Sequence, residues 1–247
     1  MMAAIAQQQQ ITSAGLPVLE DYVFTTSGTS APTALNLTAP SGIQSGDFLV
    51  VIHSSDEGNN GFFSIEDSSW TKLVTAGGNL ADAYTSIFYK IADGTETSVA
   101  VTGWLDANKS GLDASFMSGW FLRFSGVDTS NPIGGYSNTP DFSTRNLDFT
   151  VPSLSVTDNS FVILAATADG NDQHPVGVST SGWTTLDQKN HVPGSTTGVY
   201  LSNLLASKEY EFSSATGVVT VTISGGPQDK PEGDGAAAVL VSIQGYT

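Results

Sequence analysis

The sequence predicts an all-β chain made of two tandem β-sandwich, jelly-roll-like domains related by internal duplication, behind an N-terminal arm. Three observations predict it. Apolar residues recur with period two or in short unbroken runs, turn-forming clusters separate them, and a set of landmarks repeats about 113 residues later. Leu35-Asn36-Leu37-Thr38-Ala39 alternates apolar and polar, as a half-buried strand does. Phe48-Leu49-Val50-Val51-Ile52 is continuously apolar, which suits a strand buried on both faces. Strand-length runs follow at 87–91, 98–102, 120–124, 161–165, 218–223 and 238–243. Between them stand Gly77-Gly78, Asp93-Gly94, Gly134-Gly135 and Gly225-Gly226-Pro227, all turn chemistry. No stretch longer than about eight residues keeps a helical period.

The repeat sets the domain plan. Phe48, Asp56, Trp70, Thr71 and Leu73 return as Phe161, Asp169, Trp183, Thr184 and Leu186. Leu35-Asn-Leu-Thr-Ala-Pro40 is echoed by Leu147-Asp-Phe-Thr-Val-Pro152, and the run ending at Gly126 by the run ending at Gly245. A period above 100 residues marks duplicated domains rather than solenoid units. The expected units are 21–135 and 136–247, with the Pro132–Pro140 stretch as linker and residues 1–20 as the arm. Gly15 and Pro17 stop any helix begun by the glutamine run Gln7–Gln10.

Composition removes several functions. The 247 residues hold 8 Lys+Arg against 24 Asp+Glu, a formal net charge of −16, and no cysteine. That sign of charge repels phosphate backbones, so no nucleic-acid partner is expected. Disulfides, thiolate metal sites and thiol nucleophiles are ruled out by the absence of cysteine. Only 13% of residues are charged while 39% are hydrophobic, too apolar a mix for a disordered acidic chain. The apolar runs are strand-sized, far below the ~20 residues of a membrane-spanning helix, and no export signal is read at the N-terminus.

The order of motifs resembles a known group. Ser45-Gly46-Asp47-Phe48-Leu49-Val50 is followed by Ser68-Ser69-Trp70-Thr71-Lys72-Leu73, by Phe88-Tyr89-Lys90-Ile91-Ala92-Asp93-Gly94-Thr95, and by Phe124-Ser125-Gly126-Val127-Asp128 through Ile133. Val151-Pro152-Ser153 and Ser181-Gly182-Trp183-Thr184 continue it in the second half. In this order the chain resembles β-sandwich proteins of the tailed-bacteriophage virion surface, capsid-decorating or tail-associated. The resemblance covers most of residues 30–247 and implies a virion protein assembled in the host cytoplasm. Its partners would be other capsid or tail proteins and further copies of itself, and the resemblance supplies no catalytic residue.

Candidate chemistry is sparse. Trp70 and Trp183 stand at equivalent positions and are expected to plug the cores, and Trp120 to turn one face inward. Trp104, read in a loop, is the better surface aromatic, and only under the alternative, glycan-binding reading would it meet a host glycan together with the acidic loops around Asp56 and Asp169. Those loops carry oxygens that a hard cation takes, but neither has calcium-loop spacing, so they are read as solvated turns and no metal site or cofactor is assigned. His53, His174 and His191 form no metal pattern, and His53 is expected at a strand end with its hydrogen bonds satisfied. There is no nucleophile elbow and no phosphate loop. The expected function is therefore a non-enzymatic structural decoration or accessory protein, its arm gripping neighbours through Ile5, Ile11, Leu16 and Val18. The alternative is a glycan-binding module or tail-associated receptor-binding adhesin.

Overall fold

The computed structural model describes residues 15–27, 33–56, 62–77, 83–104, 116–139, 148–170, 176–191, 200–223 and 235–246. Among these every regular element is a strand. The first half contributes β1 (Val18–Thr26), β2 (Ala34–Thr38), β3 (Phe48–Asp56), β4 (Phe62–Ile65), β5 (Thr71–Ala76), β6 (Ala83–Ile91), β7 (Ser98–Trp104) and β8 (Met117–Ser125). The second contributes β9 (Ile133–Asn138), β10 (Asp148–Val151), β11 (Ser155–Val156), β12 (Ser160–Gly170), β13 (Val176–Val178), β14 (Thr184–His191), β15 (Tyr200–Tyr210), β16 (Ser214–Ala215), β17 (Val219–Ile223) and β18 (Ala236–Gln244).

The strands form two five-stranded sheets, β1-β8-β3-β6-β5 and β14-β15-β12-β18-β9, and two three-stranded sheets, β2-β7-β4 and β10-β17-β13. A short ribbon, β11-β16, completes the second half. All pairings are antiparallel. Taken in chain order, the two halves have the same strand order: β1, β8, β3, β6 and β5 correspond to β9, β18, β12, β15 and β14, and β2-β7-β4 to β10-β17-β13.

Side-chain alternation sorts the core into three layers. Phe48, Val50 and Ile52 of β3 point one way, with Trp120, Leu122 and Phe124 of β8, and meet Phe161, Ile163, Ala165, Val239 and Val241 of the other half. The rings of Phe124 and Phe161 meet edge-on at 5.4 Å. Leu49 and Val51 point the other way, onto Leu35, Leu37 and Val101 of the three-stranded sheet. In the second half Val162 and Leu164 do the same against Phe149, Val151, Val219 and Val221. The molecule is thus layered three-five-five-three, and the two five-stranded sheets are buried on both faces. The unbroken apolar run at Phe48–Ile52 follows from that double burial.

The edges of the inner sheets carry bulges, which turn backbone groups away from further strand pairing. Register slips at Glu20 in β1, Leu73 in β5, Gly134 in β9 and Leu186 in β14, one per edge strand. Leu73 and Leu186, landmarks of the repeat, are thus both bulge residues, and each packs against the shared inner core. The stretch expected as a linker is different from the reading: residues 133–138 form β9, paired with β18. Gly134-Gly135 is there a bulge rather than a turn, because a Cβ on Gly134 would strike the Gln244 side chain at 2.9 Å.

The chain enters the fold earlier than residue 21. Gly15 bridges Tyr246, and Val18 pairs with Ser125 while staying half exposed. Leu16 and Val18, expected in a free arm, therefore lie within the folded body, whereas Ile5 and Ile11 lie outside the described residues.

Candidate recognition pole

Strand direction divides the molecule into two ends. β3 finishes at Asp56 beside the start of β6 at Ala83 and close to the start of β8 at Met117. β1 finishes at Thr26 opposite Ser118, and Trp104 closes β7 opposite Phe62. In the second half Gly170 closes β12 opposite Tyr200, Ala236 begins β18 opposite Ala168, and Ile223 closes β17 opposite Val176. Ser54 Oγ meets Thr167 Oγ1 at 2.5 Å across the central core, so both halves point the same way. The β1–β2, β3–β4, β5–β6 and β7–β8 connections, and in the second half the β9–β10, β12–β13, β14–β15 and β17–β18 connections, therefore begin and end at this one pole. Connections from several strands gathered at one end of rigid sheets are a common platform for recognition.

The opposite pole is built from tight turns closed by their own acids. Asp67 accepts hydrogen bonds from the backbone N–H and hydroxyl of Ser69, Asp93 from those of Thr95, and Asp128 from the backbone N–H of Ser130. These bonds hold the carboxyls of Asp67 and Asp93 below the usual range. Glu96 is pushed up by burial, but the hydrogen bond from Lys90 and backbone N–H bonds outweigh that and lower it overall. Its carboxylate lies 2.8 Å from Lys90 Nζ, with both side chains nearly buried. Acids at this end are accounted for by local structure.

The residues that the alternative reading assigns to a glycan fall at the first pole but in different layers. Asp56 and Asp169 lie at the ends of corresponding strands of the two inner sheets, each two residues along the chain from the Ser54–Thr167 contact. Trp104 is the last residue of β7 in an outer sheet rather than part of a loop. The remaining residues of the two acidic loops, 57–60 and 171–172, lie outside the described residues, as does His174. Among the described residues no three His, Cys, Asp or Glu side chains converge as metal ligands.

The other tryptophans pack as expected. Trp70 meets Phe121 edge-on at 5.7 Å on the first outer core, and Trp183 packs against the second. Trp120 is fully buried, meets the Phe24 ring at a tilt with centroids 5.0 Å apart, and donates its indole N–H to Asp187 of the other half at 3.1 Å. Tyr22 reinforces that flank by donating to the Leu186 carbonyl at 3.1 Å.

His53 departs from expectation. It sits inside β3, between Ser86 and Gly119, fully buried beneath the Phe63 ring at 4.2 Å. Neither ring nitrogen has a hydrogen-bond partner. Burial, with a smaller push from the charge of Lys72, lowers its pKa to about 3, so the ring is neutral. The sequence shows only a histidine after an apolar run; nothing in it tells that the outer sheet closes over that position.

A scan against protein-family models finds no match, and no curated protein or solved structure is found similar to the chain at a significant level. Among the described residues no helix is long and apolar enough to cross a membrane.

Proposed function

We propose that this chain is a non-enzymatic structural protein of a bacteriophage particle, seated on the virion surface as a decoration or accessory component. The observation that carries the reading is the strand-for-strand correspondence of the two halves. It fits the tandem duplication expected from the 113-residue repeat and implied by the resemblance to virion-surface sandwiches. With the β11-β16 ribbon left out of the count, in each half the first, eighth, third and sixth strands adjoin, and the second, seventh and fourth lie opposite. This is a jelly-roll order with the fifth strand moved to the facing sheet. Fusing two such units through a common core gives a rigid body with no need of disulfides, suited to a particle that leaves the cell. Residues 1–14 would serve as the assembly arm, binding a neighbouring copy or another capsid or tail protein.

Immunogold labelling tests this reading. Antibody against the purified chain should decorate intact particles made by the phage whose genome encodes it; label absent from particles and confined to the host lysate refutes it. Light scattering tests the arm: the full chain should be a defined oligomer, and a chain beginning at Gly15 a monomer.

A second reading rests on a separate observation, the gathering of eight strand connections, four from each half, at the pole where the strand ends Asp56, Asp169 and Trp104 are placed. There the chain would act as a glycan-binding adhesin. Binding on a glycan array that is lost in Trp104→Ala supports it, and a blank array removes it.

A further inference from the structure

The two halves share one strand order, so each can be compared with the other position by position, and the outer core of the first half departs from the second near the recognition pole. Along β3 the positions turned toward the outer sheet read Leu49, Val51, His53 and Ser55, and along β12 Val162, Leu164, Ala166 and Ala168. A place that packs as alanine in one half thus holds a fully buried imidazole in the other, with neither ring nitrogen bonded. The strand above it differs in the same sense. Lys72 of β5 donates to the Phe63 carbonyl of β4 at 3.0 Å, and Gln188 of β14 donates to the corresponding Val176 carbonyl of β13 at 2.7 Å. The same carbonyl is tethered by a cation in the first half and by a neutral amide in the second.

The surroundings of His53 offer a proton no counter-charge. The ring lies between Ser86 of β6 and Gly119 of β8, with Phe63 over it at 4.2 Å. β2, β4 and β7 carry no charged residue. From β5 comes Lys72, whose charge repels another, and from β6 the buried Tyr84, beside Ser55. Lys90 of β6 and Arg123 of β8 stand opposite Leu49, about 13 Å along the strand, and are already paired with acids. A charged imidazole must therefore reach water, and the least costly route is past β4. That strand has four residues and pairs only with β7, whereas β3 is central in its sheet. We propose that β4 is an acid-released flap: protonation of His53 lifts Phe63 from the inner sheet and opens the outer core of the first half, while the second half, with Ala166 and Gln188, stays closed. The surface uncovered, built from Phe63, Tyr84 and Met117, is apolar and lies at the recognition pole.

Hydrogen–deuterium exchange of the full chain at about pH 7 and pH 5, corrected for intrinsic rates, tests this. The opened ring titrates near 6.5 and the closed one at about 3, so opening should increase about 25-fold between those conditions. Amides of β4 and their partners in β7 should lose protection by about that factor, and those of β13 and β17 should not change. His53→Ala, which installs the residue of the other half, and His53→Gln, which fills more of the space without titrating, should both abolish the difference. Unchanged protection in β4, or a loss shared equally by β4 and β13, overturns the proposal. So does a difference that persists in either variant. The comparison of β4 with β13 is made within wild type, so it decides the matter even if neither variant folds.

Discussion

Replacing His53 with leucine should flatten the acid side of this protein's stability curve. The imidazole is fully buried and has no hydrogen-bond partner, and its pKa is pushed from 6.5 down to about 3. Because the folded value lies below the unfolded one, the ring contributes no pH dependence above about pH 6.5. Below that, the unfolded chain takes up a proton that the native state refuses, and stability falls as pH drops toward 3. Each pH unit is worth about 1.4 kcal/mol, so moving from pH 6.5 to pH 5 costs about 2 kcal/mol through this one residue. The carboxylates held low, Asp21 by the Ser41 hydroxyl and Asp67 and Asp93 by their turns, act at lower pH. Their stabilisation is present above their unfolded values near 4 and is lost only below them, so the window from pH 6.5 to 5 isolates the histidine. Urea unfolding of wild type and His53→Leu at about pH 7 and pH 5 measures the difference. Wild type should lose about 2 kcal/mol more than the variant over that range. Equal losses in the two proteins would refute the claim that a neutral, unprotonatable imidazole lies beneath Phe63.

Other consequences follow from the layers. Ile163→Ala removes a fully buried side chain from the core shared by the halves and should cost about 2–5 kcal/mol in a single unfolding transition detected from either half, by calorimetry and tryptophan fluorescence together. Gly119→Ala would set a Cβ at 2.3 Å from the Ile52 carbonyl oxygen and near Leu35 and Leu37, so a loss of about 3 kcal/mol or more is expected in urea melts. Glu96→Ala leaves the Lys90 ammonium nearly buried without its partner and should destabilise by about 3 kcal/mol at neutral pH. Wild type should itself weaken as pH falls below about 4.5, where Glu96 protonates in the unfolded chain.

Much of this architecture is legible in the sequence, and the gaps have physical causes. The alternation at Leu35–Ala39 and the unbroken run at Phe48–Ile52 mark a half-buried and a doubly buried strand, as found. The offset linking Leu73 to Leu186 picks out residues that bulge alike on equivalent edges. What faces the inner side of Phe48, Val50 and Ile52 is not written locally, because an apolar face fits a partner sheet from either half equally well. Gly134-Gly135 reads as a turn, since glycine serves both turns and bulges and only pairing with β18 decides between them. Asp56 and Asp169 read as loop acids, whereas each falls at the end of an inner-sheet strand, which a short turn-rich sequence does not mark. Trp104 is read beyond its strand because Gly103 before it suggests a break; in the fold that glycine is needed where Phe63 and Met117 press in.

The shared central core can be tested most directly by a disulfide, because the natural chain has no cysteine to compete. In the double variant Ser54→Cys with Thr167→Cys the two sulfurs replace hydroxyls that stand 2.5 Å apart. Mild oxidation should close an intramolecular bridge, found by peptide mass mapping in essentially every folded molecule, with the chain still monomeric in mass under denaturation. Two free thiols in the folded, oxidised protein, or bridges only between chains, would contradict the packing of β3 on β12 and with it the fused two-unit body.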